Sequence, residues 1–331
     1  MIFNNSLNFI NNSFIFFKKR IRSLYLNSNI YNKKITPSII GSLEYRPSPS
    51  LLDSLIKYDK IKINIEKYSL NNIWDNKRLI SKDFKNLNSF FWLFSLDLKS
   101  SKKDIQKVIQ QWIDKNHRYS SKSWEVDIVA KRIIAWTSNS RLTYEDGSPN
   151  YKDNFNSIIK KQINYLIDEI ERSDWVNDKM IGCAAVILTG LSYQDKNSYL
   201  DKGLNLLKKF VKYSLDNDGF PKSRNIRQLN FYLKYFILIR EWLRESQSEI
   251  PDHINENIYY LGQAYAFTWK NNKVDLLFNG NHETNNNDFD RYLKKLGYNF
   301  KCQSNELGGY AILNNKKNSL IMDVGASPDK K

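Results

Sequence analysis

The sequence predicts a mainly α-helical fold, an incomplete (α/α) toroid of antiparallel helix pairs followed by the first hairpin of a C-terminal β-sandwich domain. Three observations support this fold class. Apolar residues recur at the helical period in successive segments, short turn sequences separate those segments, and the pattern changes to strands near the carboxyl end. No fixed-period sequence repeat accompanies the helices, which favours a one-off toroid over a solenoid of consensus repeats.

The first 50 residues are predicted to form a basic segment and a connector. In the segment, Lys18, Lys19 and Arg20 follow the apolar residues, whereas a secretory signal has the opposite order. We expect a basic amphipathic helix that either docks on the fold, which is favoured, or lies on a membrane surface. Residues 35–50 are rich in proline and serine, and the positions before proline discourage helix.

The helical domain is predicted over residues 51–270. Its clearest helix is 155–170, where seven apolar residues follow the 3.6-residue period. Short breaks with turn chemistry separate the helices, at residues 145–149, 216–221 and 246–251. The other predicted helices cover residues 105–113, 124–136, 180–191, 200–215, 229–243 and 254–268.

Residues 271–331 are predicted to hold an inter-domain loop and the start of a truncated β-domain. An Asn-rich stretch leads to a short helix at 289–296, and the hairpin signal follows at 310–313 and 319–324 around a polar turn. A lone hairpin is marginal in water, because its apolar faces need further strands. We therefore expect a chain that stops just inside a larger β-domain.

The charge of the chain favours a polyanionic partner. The formal net charge is +16 and the isoelectric point is about 9.5. Drift towards Lys, Asn and Ile in an AT-rich genome, with a solvated surface, is the favoured explanation of the charge, because the charge is spread along the whole chain; selection for an acidic ligand is the alternative. Two cysteines and three histidines give no disulfide framework and no metal site, so no metal and no cofactor are predicted. No motif for specific nucleic-acid recognition accompanies the charge.

Four segments occur in an order that resembles the heparinase II/III-like family, especially an uncharacterised bacterial branch. Residues 88–98 resemble its aromatic "F-x-W-L-x-D-L" helix, and residues 124–136 are similar to its "W-x-P-Y-x-x-S-x-R-I-x-N-W" pattern. Residues 218–225 resemble "D-G-x-H-x-x-R-[SN]-P". Residues 309–325 are similar to the opening strands of the β-domain, "S-G-Y-x-R-L … V-I-x-D-x-G".

This resemblance implies a polysaccharide lyase that cleaves an anionic, uronate-containing polysaccharide by β-elimination. Such a reaction needs a group that neutralises the uronate carboxylate, a base that removes the C5 proton, and an acid for the leaving oxygen. The resemblance also implies a place in the cell envelope or periplasm. The order of residues at the amino end argues against export and for the cytoplasm.

The chain departs from the family pattern where catalysis is expected. Asn177 and Lys179 stand where the family has an Asn-His pair, so the histidine is missing. Gln228 stands where the family has a tyrosine, and an amide cannot transfer a proton. We therefore predict that this chain alone has no lyase turnover.

The remaining candidates for proton transfer are Tyr232 and His282. Tyr232 lies one helical turn after Gln228, although it also continues an apolar stripe that is typical of a core. His282 stands in the polar loop between the predicted domains. The candidate substrate-binding residues are Arg224, Asn225, Lys179 and Asn177.

The sequence leaves two functions open. The first is the helical half of a heparinase II/III-like lyase that is inactive as this fragment. The second is a non-catalytic protein of the cell envelope that keeps the toroid for anionic-glycan binding. The polysaccharide and the oligomeric state are not predicted.

Overall fold

The computed structural model describes residues 14, 16–39, 41–52, 73–75, 81–96, 101–193, 199–270, 277–280, 286–314 and 318–326. Helices dominate, and three short strands form one antiparallel sheet near the carboxyl end. The helices are α1 (residues 16–26), α2 (Asn29–Ile35), α3 (Ser81–Ser89), α4 (Lys102–Asn116), α5 (Val126–Ser138), α6 (Ser140–Thr143), α7 (Pro149–Glu169), α8 (Val176–Tyr193), α9 (Tyr199–Ser214), α10 (Ile226–Glu245), α11 (Asp252–Tyr265) and α12 (Asn287–Lys295). The strands are β1 (Glu306–Leu307), β2 (Tyr310–Asn314) and β3 (Ser319–Asp323).

The predicted helices are present, but several begin or end elsewhere. Helix α7 begins six residues before the predicted start, because Ser148 caps it and Pro149 occupies its first turn. The aromatic helix predicted at 88–98 is not continuous. It ends at Ser89, and Phe91–Ser95 form a 3-10 helix after Phe90, which has a left-handed backbone with a φ of 57°.

Helix α8 is the centre of the helical region. It packs against α5, α7, α9 and α10, and its apolar residues therefore occupy every face. Two glycines allow α8 and α9 to approach closely. A Cβ atom on Gly190 would lie 2.3 Å from the backbone nitrogen of Leu200, and one on Gly203 would lie 2.7 Å from the Ile187 side chain.

The first two motif segments pack against each other around a buried arginine. Arg132 of α5 donates hydrogen bonds to the carbonyl oxygens of Asn88 (2.8 Å) and Ser123 (3.1 Å). Its guanidinium also lies 3.9 Å from the ring centroid of Trp112. The Trp112 indole nitrogen in turn donates to the Asn88 side chain at 2.8 Å. These two segments therefore build the core.

The hairpin predicted near the carboxyl end is confirmed, and β1 adds a third strand. The order is β1-β2-β3, with Tyr310 opposite Asp323 and Ile312 opposite Ile321. Tyr310 and Ile312 are buried. Strand β1 escaped prediction because its two residues are too few to show an alternating pattern.

The helix at the amino end contacts the helical region, as predicted. Lys19 forms an ion pair with Asp174 at 2.6 Å, and the Arg22 Nε donates to Glu169 at 2.9 Å. Leu26 is buried at the end of α1. Among the described helices, none is both long and apolar enough to cross a bilayer.

Candidate functional site

A basic groove of about 510 Å³ lies between the carboxyl-terminal half of α9, the 3-10 turn that follows α7, and the start of α8. Four lysines and one glutamate line it, so its charge is strongly positive. The apolar residues Ile170, Leu206 and Phe210 line it as well. The polar and aromatic lining residues, which define the basic groove below, are Glu171, Lys179, Lys209, Lys212, Tyr213 and Lys222.

Specific contacts hold the side chains of the basic groove. The Lys179 ammonium lies 4.7 Å from the centroid of the Tyr213 ring, which orients both groups. Lys209 forms an ion pair with Glu171 at 3.1 Å. The Lys222 ammonium donates to the carbonyl oxygen of Lys212 at 3.2 Å. One glutamate therefore offsets the charge of only one of the four lysines.

An exposed tryptophan directly precedes α8. Trp175 is 73% exposed and lies four residues before Lys179, whose backbone N–H donates to the Trp175 carbonyl oxygen. Trp175 therefore belongs to the first turn of hydrogen bonding at the start of α8. Sequence reasoning missed Trp175, because a single tryptophan in a loop gives no pattern.

The start of α8 also holds a carboxyl group with an altered pKa. Partial burial, together with the charge of Asp127 on α5, raises the pKa of Asp178 to about 6. The Ser173 hydroxyl, which donates to this carboxyl at 3.3 Å, opposes the change, as does the charge of Lys131. Asp178 stands between Asn177 and Lys179, in the segment where the family resemblance expects a histidine.

We expect Asp178→Asn to stabilise the protein at neutral pH and to have little effect in acid. In the wild-type chain the folded-state pKa lies above the unfolded value of 3.8, so folding stability falls as the pH rises from about 4 to about 6. The asparagine variant lacks this loss. After discounting for partial exposure, we expect the free energy of unfolding of the variant at pH 7 to exceed that of the wild-type chain by about 1–2 kcal/mol. Melting temperatures of both chains across this pH range measure it, and an equal difference at every pH would contradict the assignment.

The structure brings Lys179 and Asn177 to the same end of α8. Lys179 lines the basic groove, whereas Asn177 is exposed in the first turn of the helix. Lys222, which lies in the third segment that resembles the family (residues 218–225), lines the same groove, so this segment and the start of α8 meet there. The side chains predicted to bind substrate from that third segment point elsewhere.

Arg224 connects the helical region to the sheet. Its guanidinium donates to the carbonyl oxygens of Gly309 (2.7 Å), Ala326 (2.8 Å) and Gly308 (3.2 Å), and it forms an ion pair with Asp323. The side chain is buried, and these acceptors use its donors. The structure therefore gives Arg224 a set of protein partners in place of the predicted substrate contact.

Asn225 has protein partners as well. Its side-chain oxygen caps α10 by accepting from the backbone N–H groups of Arg227 and Gln228, and its amide donates to the carbonyl oxygen of Asn279 at 2.8 Å. Asn279 in turn donates to the Tyr310 hydroxyl at 2.7 Å. Asn225 therefore belongs to the connection between helices and sheet rather than to the basic groove.

Of the two candidates for proton transfer, Tyr232 and His282, the structure describes Tyr232. Tyr232 is fully buried against Phe210, and burial raises the pKa of its hydroxyl. That hydroxyl has no hydrogen-bond partner within the described part of the chain. Because Tyr232 is closed to solvent, its catalytic role has no support from the geometry. His282 lies outside the described residues.

Solved structures with a heparinase-like helical toroid share this fold. Heparinase III matches with a TM-score of 0.58 and 17% identity, over 90% of this chain and 54% of that chain. The heparan sulfate lyase HepC from Pedobacter heparinus matches with a TM-score of 0.52 and 14% identity, over 75% of this chain and 45% of that chain. No family model matches the chain, and no curated protein matches it.

These similarities establish the fold class. The predicted toroid with a carboxyl-terminal antiparallel sheet is confirmed, and the chain spans about half the length of the structures it matches. At these sequence identities, membership of the heparinase II/III-like family stays a prediction.

Proposed function

We propose that the chain is the helical part of a polysaccharide-lyase-like protein and that its basic groove binds an anionic, uronate-containing polysaccharide. The observation that carries the proposal is the convergence of four lysines and Tyr213 in one groove of a heparinase-like toroid. The similar proteins include one named as a heparan sulfate lyase, and heparan sulfate is an anionic polysaccharide.

The groove offers the contacts that such a polymer needs. Lysine ammonium groups bind carboxylate and sulfate oxygens with charge-assisted hydrogen bonds. The Tyr213 ring in the groove offers a flat apolar surface for a sugar ring, and the exposed Trp175 ring, just before α8, offers a second one. Lys179, held against Tyr213, is placed to offset the charge of a uronate carboxylate, which is the first requirement of β-elimination.

The histidine and the tyrosine that the family pattern expects for proton transfer are absent from their positions in this chain. Gln228 replaces the expected tyrosine, and its side-chain oxygen accepts a hydrogen bond from the Ser223 hydroxyl. Asp178 is the one described carboxyl near the start of α8 whose pKa is raised towards neutrality, but it packs towards α5. We propose that the chain binds the polymer without cleaving it. Gln228 also supports the second candidate, a non-catalytic glycan-binding protein, and both functions place the chain in the cell envelope.

Equilibrium binding to heparan sulfate tests the groove. We expect Lys179→Gln combined with Lys222→Gln to weaken binding about tenfold or more, because two charge-assisted contacts are lost. The matched control is Lys103→Gln combined with Lys295→Gln, which removes two exposed charges from α4 and α12. It should change the affinity about twofold at most, because exposed charges outside the groove act only through the screened overall field.

Equal weakening by the two double variants would show that binding follows net charge alone and would overturn the groove assignment. The ultraviolet absorbance of unsaturated uronate, followed in the same mixtures, reports turnover. We expect none from this chain, and a steady rise would contradict the conclusion that the proton-transfer set is incomplete.

A further inference from the structure

Helix α1 presents two different faces. One face holds the helix on the protein through the ion pair of Lys19 with Asp174 and the hydrogen bond of Arg22 to Glu169. Leu26 is buried on the same side, and Tyr25 packs against the core. The helix is thus fixed in orientation, so the residues on its other face are held outward.

The outward face carries a continuous apolar stripe. Phe17, Ile21 and Leu24 are spaced by four and three residues, which aligns them along one side of α1, and Phe14 lies three residues before Phe17. Each is between 52% and 68% exposed. Apolar side chains at this density on one exposed face mark an interaction surface rather than scattered surface residues. We call these four residues the apolar stripe.

Basic residues flank the apolar stripe. Lys18 and Arg20 are exposed on the same helix, and the Lys18 ammonium lies 4.3 Å from the centroid of the Phe14 ring. The charge of Lys18 and Arg20 indicates which kind of partner the apolar stripe binds. A second copy of this chain would bring like charges together on top of a net charge of +16 per chain. A soluble polyanion would use the charges and leave the stripe in water. An anionic lipid surface satisfies both features, because headgroups take the charges and the acyl boundary takes the apolar side chains.

We propose that α1 binds the surface of an anionic membrane, with the apolar stripe in the interfacial layer and Lys18 and Arg20 at the phosphate level. The ion pair and hydrogen bond on the inner face then tie the toroid to the bilayer surface. This inference stands on α1 alone and does not depend on polysaccharide binding in the basic groove.

Flotation of the full chain with lipid vesicles tests the proposal. We expect the chain to float with vesicles of phosphatidylcholine and phosphatidylglycerol and to stay in solution with phosphatidylcholine alone. Phe17→Ser combined with Leu24→Ser should lower the bound fraction on anionic vesicles about tenfold or more, because two of the four inserted side chains lose their apolar contact. The control Tyr259→Ser changes a side chain that is equally exposed but lies on α11, and should bind like the wild-type chain.

A second variant tests the charge. Lys18→Gln combined with Arg20→Gln should reduce binding at low salt and make the remainder less sensitive to salt. The four substituted residues, Phe17, Leu24, Lys18 and Arg20, are exposed, so we expect the variants to fold like the wild-type chain. Their melting temperatures check this. Equal flotation of the wild-type chain and the serine variant would overturn the proposal, and so would failure of the wild-type chain to float. Sedimentation of a dimer that the serine variant converts to a monomer would assign the stripe to a second copy instead.

Discussion

Arg132→Met is expected to lower the free energy of unfolding by about 3–5 kcal/mol, one of the two largest effects in this chain. The side chain is fully buried, and its donors reach the carbonyl oxygens of Asn88 and Ser123 and the side-chain oxygen of Gln162. Burial lowers the pKa of Arg132, and these oxygens with the Trp112 ring stabilise the charged form. Methionine fills much of the volume but leaves the buried oxygens without donors, which is the costly part of the change.

Chemical denaturation followed by circular dichroism measures this loss. Arg132→Lys keeps the charge, but one ammonium group cannot reach the three separate acceptors that the planar guanidinium binds. This variant should therefore recover only part of the stability. Arg141→Met, which removes an exposed arginine from α6, should change stability by about 0.5 kcal/mol or less. A loss in Arg132→Met no greater than in this control would contradict the role given to the buried guanidinium.

Arg224→Ala is expected to release the sheet from the helical region while leaving the helices folded. The guanidinium binds backbone oxygens just before β2 and just after β3, at the open end of the hairpin, and it binds the carboxylate of Asp323. It holds the pKa of Asp323 below the ordinary value against the opposing effect of desolvation. Its loss removes this donor from the Gly308 and Ala326 carbonyl oxygens and from the Asp323 carboxylate at once. The Gly309 oxygen keeps the backbone N–H groups of Val324 and Gly325. We expect the opening free energy of the strands to fall by about 2–4 kcal/mol.

Amide hydrogen exchange distinguishes this local effect from global unfolding. Protection of β2 and β3 should decrease, while the amides of α8 and α10 keep their wild-type rates. The control Arg227→Ala lies three residues further on and is exposed. Unchanged protection of the strands in Arg224→Ala would show that the Arg224 side chain does not hold the sheet on the helical region.

The helical fold could be predicted because the period of the apolar residues is a property of each local segment. Residues 155–170, for example, show it without any knowledge of their neighbours; α7 contains residues 155–169, and Ile170 begins the 3-10 turn that follows. The start of α7 could not be predicted in the same way, because Pro149 and the capping residue Ser148 lie outside the apolar pattern. The central position of α8 depends on the four helices that pack against it, and no local sequence pattern shows those contacts.

The four motif segments that carry the family resemblance proved to be packing partners. Arg132 in the second segment binds Asn88 in the first, and Arg224 in the third binds the backbone of the fourth. Gly325 illustrates the constraint, because a Cβ atom there would lie 2.7 Å from the Arg224 guanidinium carbon. Such segments predict a shared fold well, and for the same reason they say little about catalysis.

The basic groove could not be predicted from the sequence. Its lysines come from segments that are far apart in the chain, and a chain with 51 Lys and Arg residues gives no local signal for the four that converge. Lys179 was found through its place in a family pattern. The other three lysines of the groove lie near Lys179 only in the folded chain, where α9 and the segment that follows it meet the start of α8. They are Lys209, Lys212 and Lys222.

The most direct test of the groove is the reactivity of individual lysines towards acetylation, measured by mass spectrometry with and without heparan sulfate. We predict that Lys179, Lys209, Lys212 and Lys222 become several-fold less reactive with the polymer, because bound sulfate and carboxylate groups cover their ammonium groups. Exposed lysines outside the groove, such as Lys103 and Lys295, should keep their reactivity. Protection spread evenly over the surface, or groove lysines that react as before, would contradict the assignment of the basic groove as the polysaccharide site.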